Sequence, residues 1–287
     1  MKNPDTVPAP EPVEGDTRGI LDPWLLRQRV QLTRYPPTGP LVGVVDRFWA
    51  VRWDLPDGTE HRQQVLTHPS ANLSVGPADG YGEDGPVEAQ LYGVARGLTT
   101  RRLRARGWTV AAMTTVGGLG ALLDGQAEKY TDCAVPLGEP LGTDGPALVR
   151  KIVALADEPM RVAALACALE AACRPDRVDT ARKVSAVARL AETDRGIQRV
   201  TDLAERAAVS ERTLQRLFLR FAGVSPTWML RRYRLLDAAE AVRDGAAVDW
   251  ADLAVRLGYS DQAHLIRDFR AAMGQTPAVY ARAQRPS

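Results

Sequence analysis

A pattern that occurs twice constrains this chain more than any other feature. The stretch Val200 to Pro226, VTDLAERAAVSERTLQRLFLRFAGVSP, returns further along as LAVRLGYSDQAHLIRDFRAAMGQTP. Ala204 pairs with Ala254, Ala208 with Gly258, Leu214 with Leu265, Arg216 with Arg267, Phe218 with Phe269, Gly223 with Gly274 and Pro226 with Pro277. Such self-similarity means that one supersecondary unit is used twice, so both copies must fold alike.

Each copy reads as helix, tight turn, helix. In the first, Leu203, Ala204 and Ala207 give a short helix with small residues where another helix must cross closely, and Ser210 is placed to cap the next helix. Leu214, Leu217, Phe218 and Phe221 recur at helical spacing, which predicts a buried stripe and leaves Arg212, Gln215, Arg216, Leu219 and Arg220 on the open face. In the second copy Leu253, Ala254, Val255 and Leu257 precede the Gly258 turn. Ser260 or Asp261 then caps a helix buried through Leu265 and Phe269, with Gln262, Ala263, Ile266, Arg267 and Arg270 outward and His264 nearby. Gly223 and Gly274 stop the two units, Ser225 and Thr276 each cap a further helix, and Pro226 and Pro277 stand at its first turn.

The open faces suit the duplex. Arginine can donate twice to guanine O6 and N7, glutamine can pair with adenine N6 and N7, and Leu219 or Ile266 can touch a thymine methyl. Charge is distributed to match: residues 181–287 hold 18 Lys and Arg against 12 Asp and Glu, whereas the remainder holds 19 against 23. A basic C-terminal part on an acidic N-terminal one fits a duplex-binding module joined to a part that avoids DNA. A length of 287 residues with 45% hydrophobic and 25% charged residues allows two domains with cores of their own.

From about Val184 to Arg282 the chain resembles the DNA-binding domain of AraC/XylS-type transcription regulators. The marks are LAERAAVSERTLQRLF, Arg234 in RRYRLLDAAEAV, LAVRLGYSDQAHL and the closing GQTPAVYAR. The resemblance implies an all-α domain of two helix-turn-helix units joined by one long helix, entering successive major grooves of promoter DNA. Carried over by position, it implies Arg212, Gln215 and Arg216 in the first unit and Gln262, His264 and Arg267 in the second as base readers. Ser210 and Thr213 join the DNA-facing set at the head of the first recognition helix. Arg220, Arg231, Arg232 and Arg270 are expected as phosphate contacts or plain surface. Arg234 reads either as part of the interface or as a structural residue bonding helix ends. The chain departs from the family at Leu265, usually Phe, at Ala263, often Ser, and at Ala281, commonly Arg.

Upstream, residues 1–20 are rich in proline and acid and predict a flexible tail. Residues 21–141 read as a β-rich regulatory domain. Trp49, Val51, Trp53 and Leu55 alternate with Ala50, Arg52 and Asp54, the mark of a half-buried strand. Further strands are predicted at Gln64–Thr67, Asn72–Val75, Glu88–Val94 and Thr109–Thr115, with a helical turn near Leu119–Leu123. Arg101, Arg102, Arg104 and Arg106 around Leu103 predict a solvated edge strand. RYPPTGPLVGVVDRFW, VLTHPSANLSV and RGWTVAAMTTVGGLGALL resemble the N-terminal domain of a group of AraC-type regulators, which implies a cupin-like sensor. Trp49, Trp53 and Trp108 are candidates to line an effector pocket with His68. His61 and His68 form no HxH pair, so neither metal nor cofactor is expected.

Residues 142–178 predict a helical linker, with stripes through Ala147, Leu148, Ile152, Val153 and Leu155 and through Met160, Val162, Ala163, Leu165 and Leu169. These either pack on the β domain or make a homodimer contact. Cys167 is expected as a small core residue. After a break at Arg174-Pro175-Asp176, the DNA-binding domain spans 179–284. Its first helix is expected over Asp179–Leu190, and Thr201 or Gln198 starts the next. Cys133, Cys167 and Cys173 make neither a disulfide framework nor a common zinc spacing, which fits a reducing cytoplasm. No secretory signal is seen, and VAALACALEAAC is too short and broken by Glu170 to span a membrane.

The expectation is an α+β transcription regulator, controlled by a small-molecule effector, performing no covalent chemistry and contacting RNA polymerase if it activates. The rival reading is a redox or ligand-reactive sensor, using Cys133 or His68, with DNA binding as its output.

Overall fold

The computed structural model describes residues 29–123, 126–194, 196–243 and 249–283. The tail expected over 1–20 lies outside them. Among the described residues, eight strands build the N-terminal half: β1 (Val30–Tyr35), β2 (Val45–Asp54), β3 (Glu60–Val65), β4 (Asn72–Pro77), β5 (Val87–Tyr92), β6 (Thr99–Arg104), β7 (Arg106–Thr114) and β8 (Ala134–Pro136). Six make an antiparallel sheet in the order β1-β2-β7-β4-β5-β8, and β3 pairs with β6 in a separate ribbon. β3 starts at Glu60, earlier than the Gln64–Thr67 strand that the sequence predicts. Its inward residues, His61 and Gln63, are polar, so alternation of apolar residues does not reveal it.

The strand around Trp49 forms, but the sheet is covered on both faces. Trp49, Val51 and Trp53 point to the side of the β3–β6 ribbon, whereas Phe48 and Ala50 are buried against helices. The helices that follow are α1 (Leu119–Leu122), α2 (Gly138–Leu141), α3 (Gly145–Val153) and α4 (Glu158–Ala172), of which α4 packs on β2 and β7. Glu158, in the first turn of α4, ties down two strands: it accepts from Tyr35 Oη at 2.8 Å and from Arg52 Nε at 3.1 Å. Leu148, Ile152, Val162, Leu165 and Leu169 are buried, so the linker stripes are used within the chain. Cys167, expected in the core, is exposed instead. Leu165 and Leu169 face the sheet from α4, and Cys167 stands between them, about half a turn away.

The next helix, α5 (Pro175–Thr193), runs without a break through the boundary expected at residue 179. Pro175 starts it, because a missing N–H and a fixed φ suit the first helical turn. It serves both halves of the molecule. Val184 packs so closely on Gly117 that a Cβ there would lie 2.7 Å from it, and Arg182 donates to the carbonyl of Val42.

The C-terminal helices are α6 (Val200–Arg206), α7 (Glu211–Ala222), α8 (Pro226–Arg243), α9 (Trp250–Arg256), α10 (Gln262–Met273) and α11 (Pro277–Ala283). Helix α6 starts after Arg199 rather than at Thr201 or Gln198. The Asp202 carboxylate reaches back to accept from the N–H groups of Gln198 and Arg199, at 3.1 and 2.9 Å. Buried side chains of the β half, α5 and both helical units join in one hydrophobic cluster.

Candidate nucleic-acid interface and sensing cavity

Both repeats close their turn with the same backbone move. Ala208 and Gly258 take left-handed φ values of 52° and 72°. The following N–H, of Val209 or Tyr259, then bonds the carbonyl of Ala204 or Ala254 at 3.1 or 2.9 Å. Capping also repeats: Ser210 Oγ accepts from Thr213 N at 3.2 Å, and Asp261 Oδ1 from His264 N at 2.7 Å. Gly223 and Gly274, at φ 79° and 70°, end α7 and α10 alike.

These signals fix which faces are inside. Leu214, Phe218 and Phe221 of α7 are buried, as are Leu265, Phe269 and Met273 of α10. Leu217 is only partly buried. Outward, α7 exposes Arg212, Gln215, Arg216, Leu219 and Arg220, and α10 exposes Gln262, Ala263, Arg267 and Arg270. His264 is half-buried: its Nδ1 lies 3.2 Å from Ser260 Oγ, and its ring meets Tyr259 edge-on at 5.1 Å. The hydroxyls of Ser210 and Thr213 lie 2.9 Å apart and bond each other.

Two further arginines hold the units in place. Arg234 Nη2 bonds the carbonyl of Gln198 ahead of α6, and its guanidinium sits 6.0 Å from the centre of the Tyr259 ring in the second unit. Arg232, expected as a phosphate contact or plain surface, is only 2% exposed. Its guanidinium enters the β half and donates to the carbonyls of Thr67, Ala95 and Arg96, at 3.3, 3.3 and 2.7 Å, while stacking on Trp228. Burial pulls its pKa down to about 10, which still leaves it charged near neutral pH. Helical periodicity alone does not find this residue, because its partners are backbone carbonyls far away in sequence.

A cavity of about 310 Å³ opens between the large sheet and the ribbon. Its walls include Trp49, Trp53, His68, Val51, Val65, Leu103, Met113, Tyr92 and Arg101. Trp49 Nε1 donates to Asn72 Oδ1 at 3.1 Å, and Trp53 Nε1 to the Arg104 carbonyl at 3.1 Å, so both indole N–H groups are already taken by the protein. His68 stands at this wall with Nδ1 4.0 Å from Glu192 of α5. Trp108 is elsewhere. It pairs across the sheet with Arg52, on the face covered by α4, where the Arg161 guanidinium lies 3.9 Å from its ring centre. A strand turns successive side chains to opposite faces, so Trp108 cannot share a wall with Trp49 and Trp53 in this register.

The three cysteines are free, with Cys133 and Cys167 exposed. Burial pushes the Cys173 thiol above its ordinary value. Among the described residues no cluster of three or more His, Cys, Asp or Glu side chains is arranged to hold a metal ion, and no helix is long and apolar enough to cross a membrane.

Comparison with known proteins agrees with this geometry. Residues 203–283 match a helix-turn-helix domain family, and residues 33–136 match a domain of unknown function, DUF6597. A protein of Streptomyces lividans described as an AraC-like transcription regulator is 37% identical over 81 residues, 28% of this chain and 26% of that protein. The transcription factor PqrA of Proteus vulgaris is 30% identical over 82 residues, 29% of this chain and 66% of that protein. The matched stretch thus spans about a quarter of the first relative and less than two thirds of the second. Among solved structures, the C-terminal domain of AraT, a response regulator from Geobacillus stearothermophilus, is 25% identical. It covers 37% of this chain and 88% of that one, with a TM-score of 0.34. Residues 203–283 thus carry a helix-turn-helix domain similar to those of AraC-type regulators.

Proposed function

We propose that this protein is a sequence-specific, DNA-binding transcription regulator of the AraC/XylS type, controlled by a small-molecule effector in the cavity of its β half. The observation that carries this reading is the duplicated recognition helix. Turn, cap and glycine stop repeat, and Arg216 and Arg267 stand at equivalent exposed positions. In this reading Arg212, Gln215, Arg216, Gln262 and Arg267 meet base edges, while Arg220 and Arg270, nearer the helix ends, meet phosphates. Ser210 and Thr213 place the first helix on the backbone, and His264 orients the head of the second. Trp49, Trp53 and His68 serve the effector and Trp108 does not. The protein acts in the cytoplasm, performs no covalent chemistry, and touches RNA polymerase where it activates. A homodimer contact would use the side chains that α3 and α4 leave outside, such as Val153 and Met160.

The test is selection of a preferred duplex from a random pool with the full chain, followed by titration against that duplex and a scrambled one at rising salt. The selected duplex should bind tighter by about a thousandfold or more, and both affinities should fall steeply as salt rises. Equal affinity for the two duplexes would contradict the reading.

A further inference from the structure

The chemistry of the cavity wall narrows what enters it. Among the described residues its Arg, Lys, Asp and Glu side chains are four arginines, Arg34, Arg47, Arg101 and Arg102, and one acid, Asp79. The acid is already engaged: it accepts from Arg102 Nε at 2.9 Å and from Arg102 N at 2.7 Å. Elsewhere on these strands arginines meet carboxylates, Arg47 with Asp46 and both Arg62 and Arg104 with Glu60.

Arg101 differs from its neighbours. It sits in β6 with Leu103 on the same face, about 7 Å further along the strand. Its Nη1 donates to Tyr92 Oη at 2.6 Å, and its guanidinium lies 4.8 Å from the centre of that ring. The tyrosine hydroxyl accepts this bond and keeps its own proton as a donor. Burial raises Tyr92 above its ordinary pKa against the pull of Arg101, so the hydroxyl stays protonated. A guanidinium and a phenol that both donate into one cavity form a site for an anionic oxygen. Around them stand Trp49, Val51, Val65, Leu103 and Met113.

Resting on the reading of this cavity as the effector site, we propose that the effector is an organic anion. It has an apolar, flat body seated against Trp49 and Leu103 and an anionic oxygen group held by Arg101 and Tyr92. A neutral sugar or alcohol would bring the guanidinium no opposite charge.

Two dyes that share an anilinonaphthalene body but differ in charge test this directly: 1-anilinonaphthalene-8-sulfonate and the neutral N-phenyl-1-naphthylamine. With the full chain, titration calorimetry should find the sulfonate bound about tenfold or more tighter. Arg101→Met should remove that advantage while leaving the neutral dye within about twofold of its wild-type affinity, which also shows that the variant is folded. Arg101→Lys should recover part of the loss. Equal binding of both dyes, unchanged in Arg101→Met, would overturn the anionic class and leave the cavity assignment standing. Binding of neither dye would remove the effector cavity itself.

Discussion

At the scale of single residues, the repeat offers an internal control. Ala208 and Gly258 occupy the same turn position with φ of 52° and 72°, yet only Gly258 lacks the Cβ that this conformation disfavours. Ala208→Gly should therefore change stability little or raise it, by up to about 1 kcal/mol, since relief of a left-handed alanine is offset by glycine's backbone entropy. Gly258→Ala should lose about 1 kcal/mol or more, because the added Cβ would also meet the Gln198 side chain at 2.9 Å. Urea unfolding of both variants checks this, and effects of equal sign and size would show that the two turns are not equivalent. The exposure of Arg212, Arg216, Gln262 and Arg267 is legible in the sequence, because the outer face of a helix follows from spacing and caps. The burial of Arg232 is not. Its surroundings read as a basic helix face, and only the approach of the Thr67 and Arg96 carbonyls encloses it.

At the scale of elements, caps decide where α7 and α10 begin. Ser210→Ala should cost about 1 kcal/mol of stability, measured by thermal unfolding. The second cap titrates: N–H donation from His264 holds the Asp261 carboxyl below the usual carboxylate range. A depressed folded pKa gives stability that is fully present above the unfolded value and fades as pH falls through the folded one. The difference between wild type and Asp261→Ala should thus be present at pH 7 and vanish in strong acid; a difference independent of pH would exclude a charged cap. Helix and turn signals are local, which is why both units can be read from the chain alone. The β half is less fully legible. The Trp49 alternation marks β2, but nothing in the sequence singles out β1 or β8, and β3 begins ahead of its apolar residues, because pairing with distant strands decides them. The placement of Trp108 likewise follows from register with Arg52, which no single strand's pattern contains.

At the scale of the molecule, the β half and the helical half share one core instead of meeting as separate bodies. Gly120 permits this contact, since a Cβ there would lie 2.5 Å from the Phe221 ring of α7, and Thr131 Oγ1 donates to the Gly223 carbonyl at 2.5 Å. Arg232 adds a buried charge across the same boundary. Arg232→Met should lower stability by about 1 to 3 kcal/mol, because three carbonyls lose their donor. Hydrogen exchange should also quicken in residues 66–71 and 93–98; unchanged exchange there would mean that the two halves dock without it. The proposed function requires α7 and α10 to read base sequence as a pair. Binding of Arg216→Ala, Arg267→Ala and Arg220→Ala to a panel of single-base variants of the selected duplex puts that to the test. Loss of Arg216 should cost about 1 to 3 kcal/mol on the selected site and flatten the preference at one or two base pairs. Arg267→Ala should do the same roughly one helical turn away, and Arg220→Ala should weaken every duplex by a similar factor. An Arg216→Ala protein that keeps its full sequence preference would show that α7 does not read the bases.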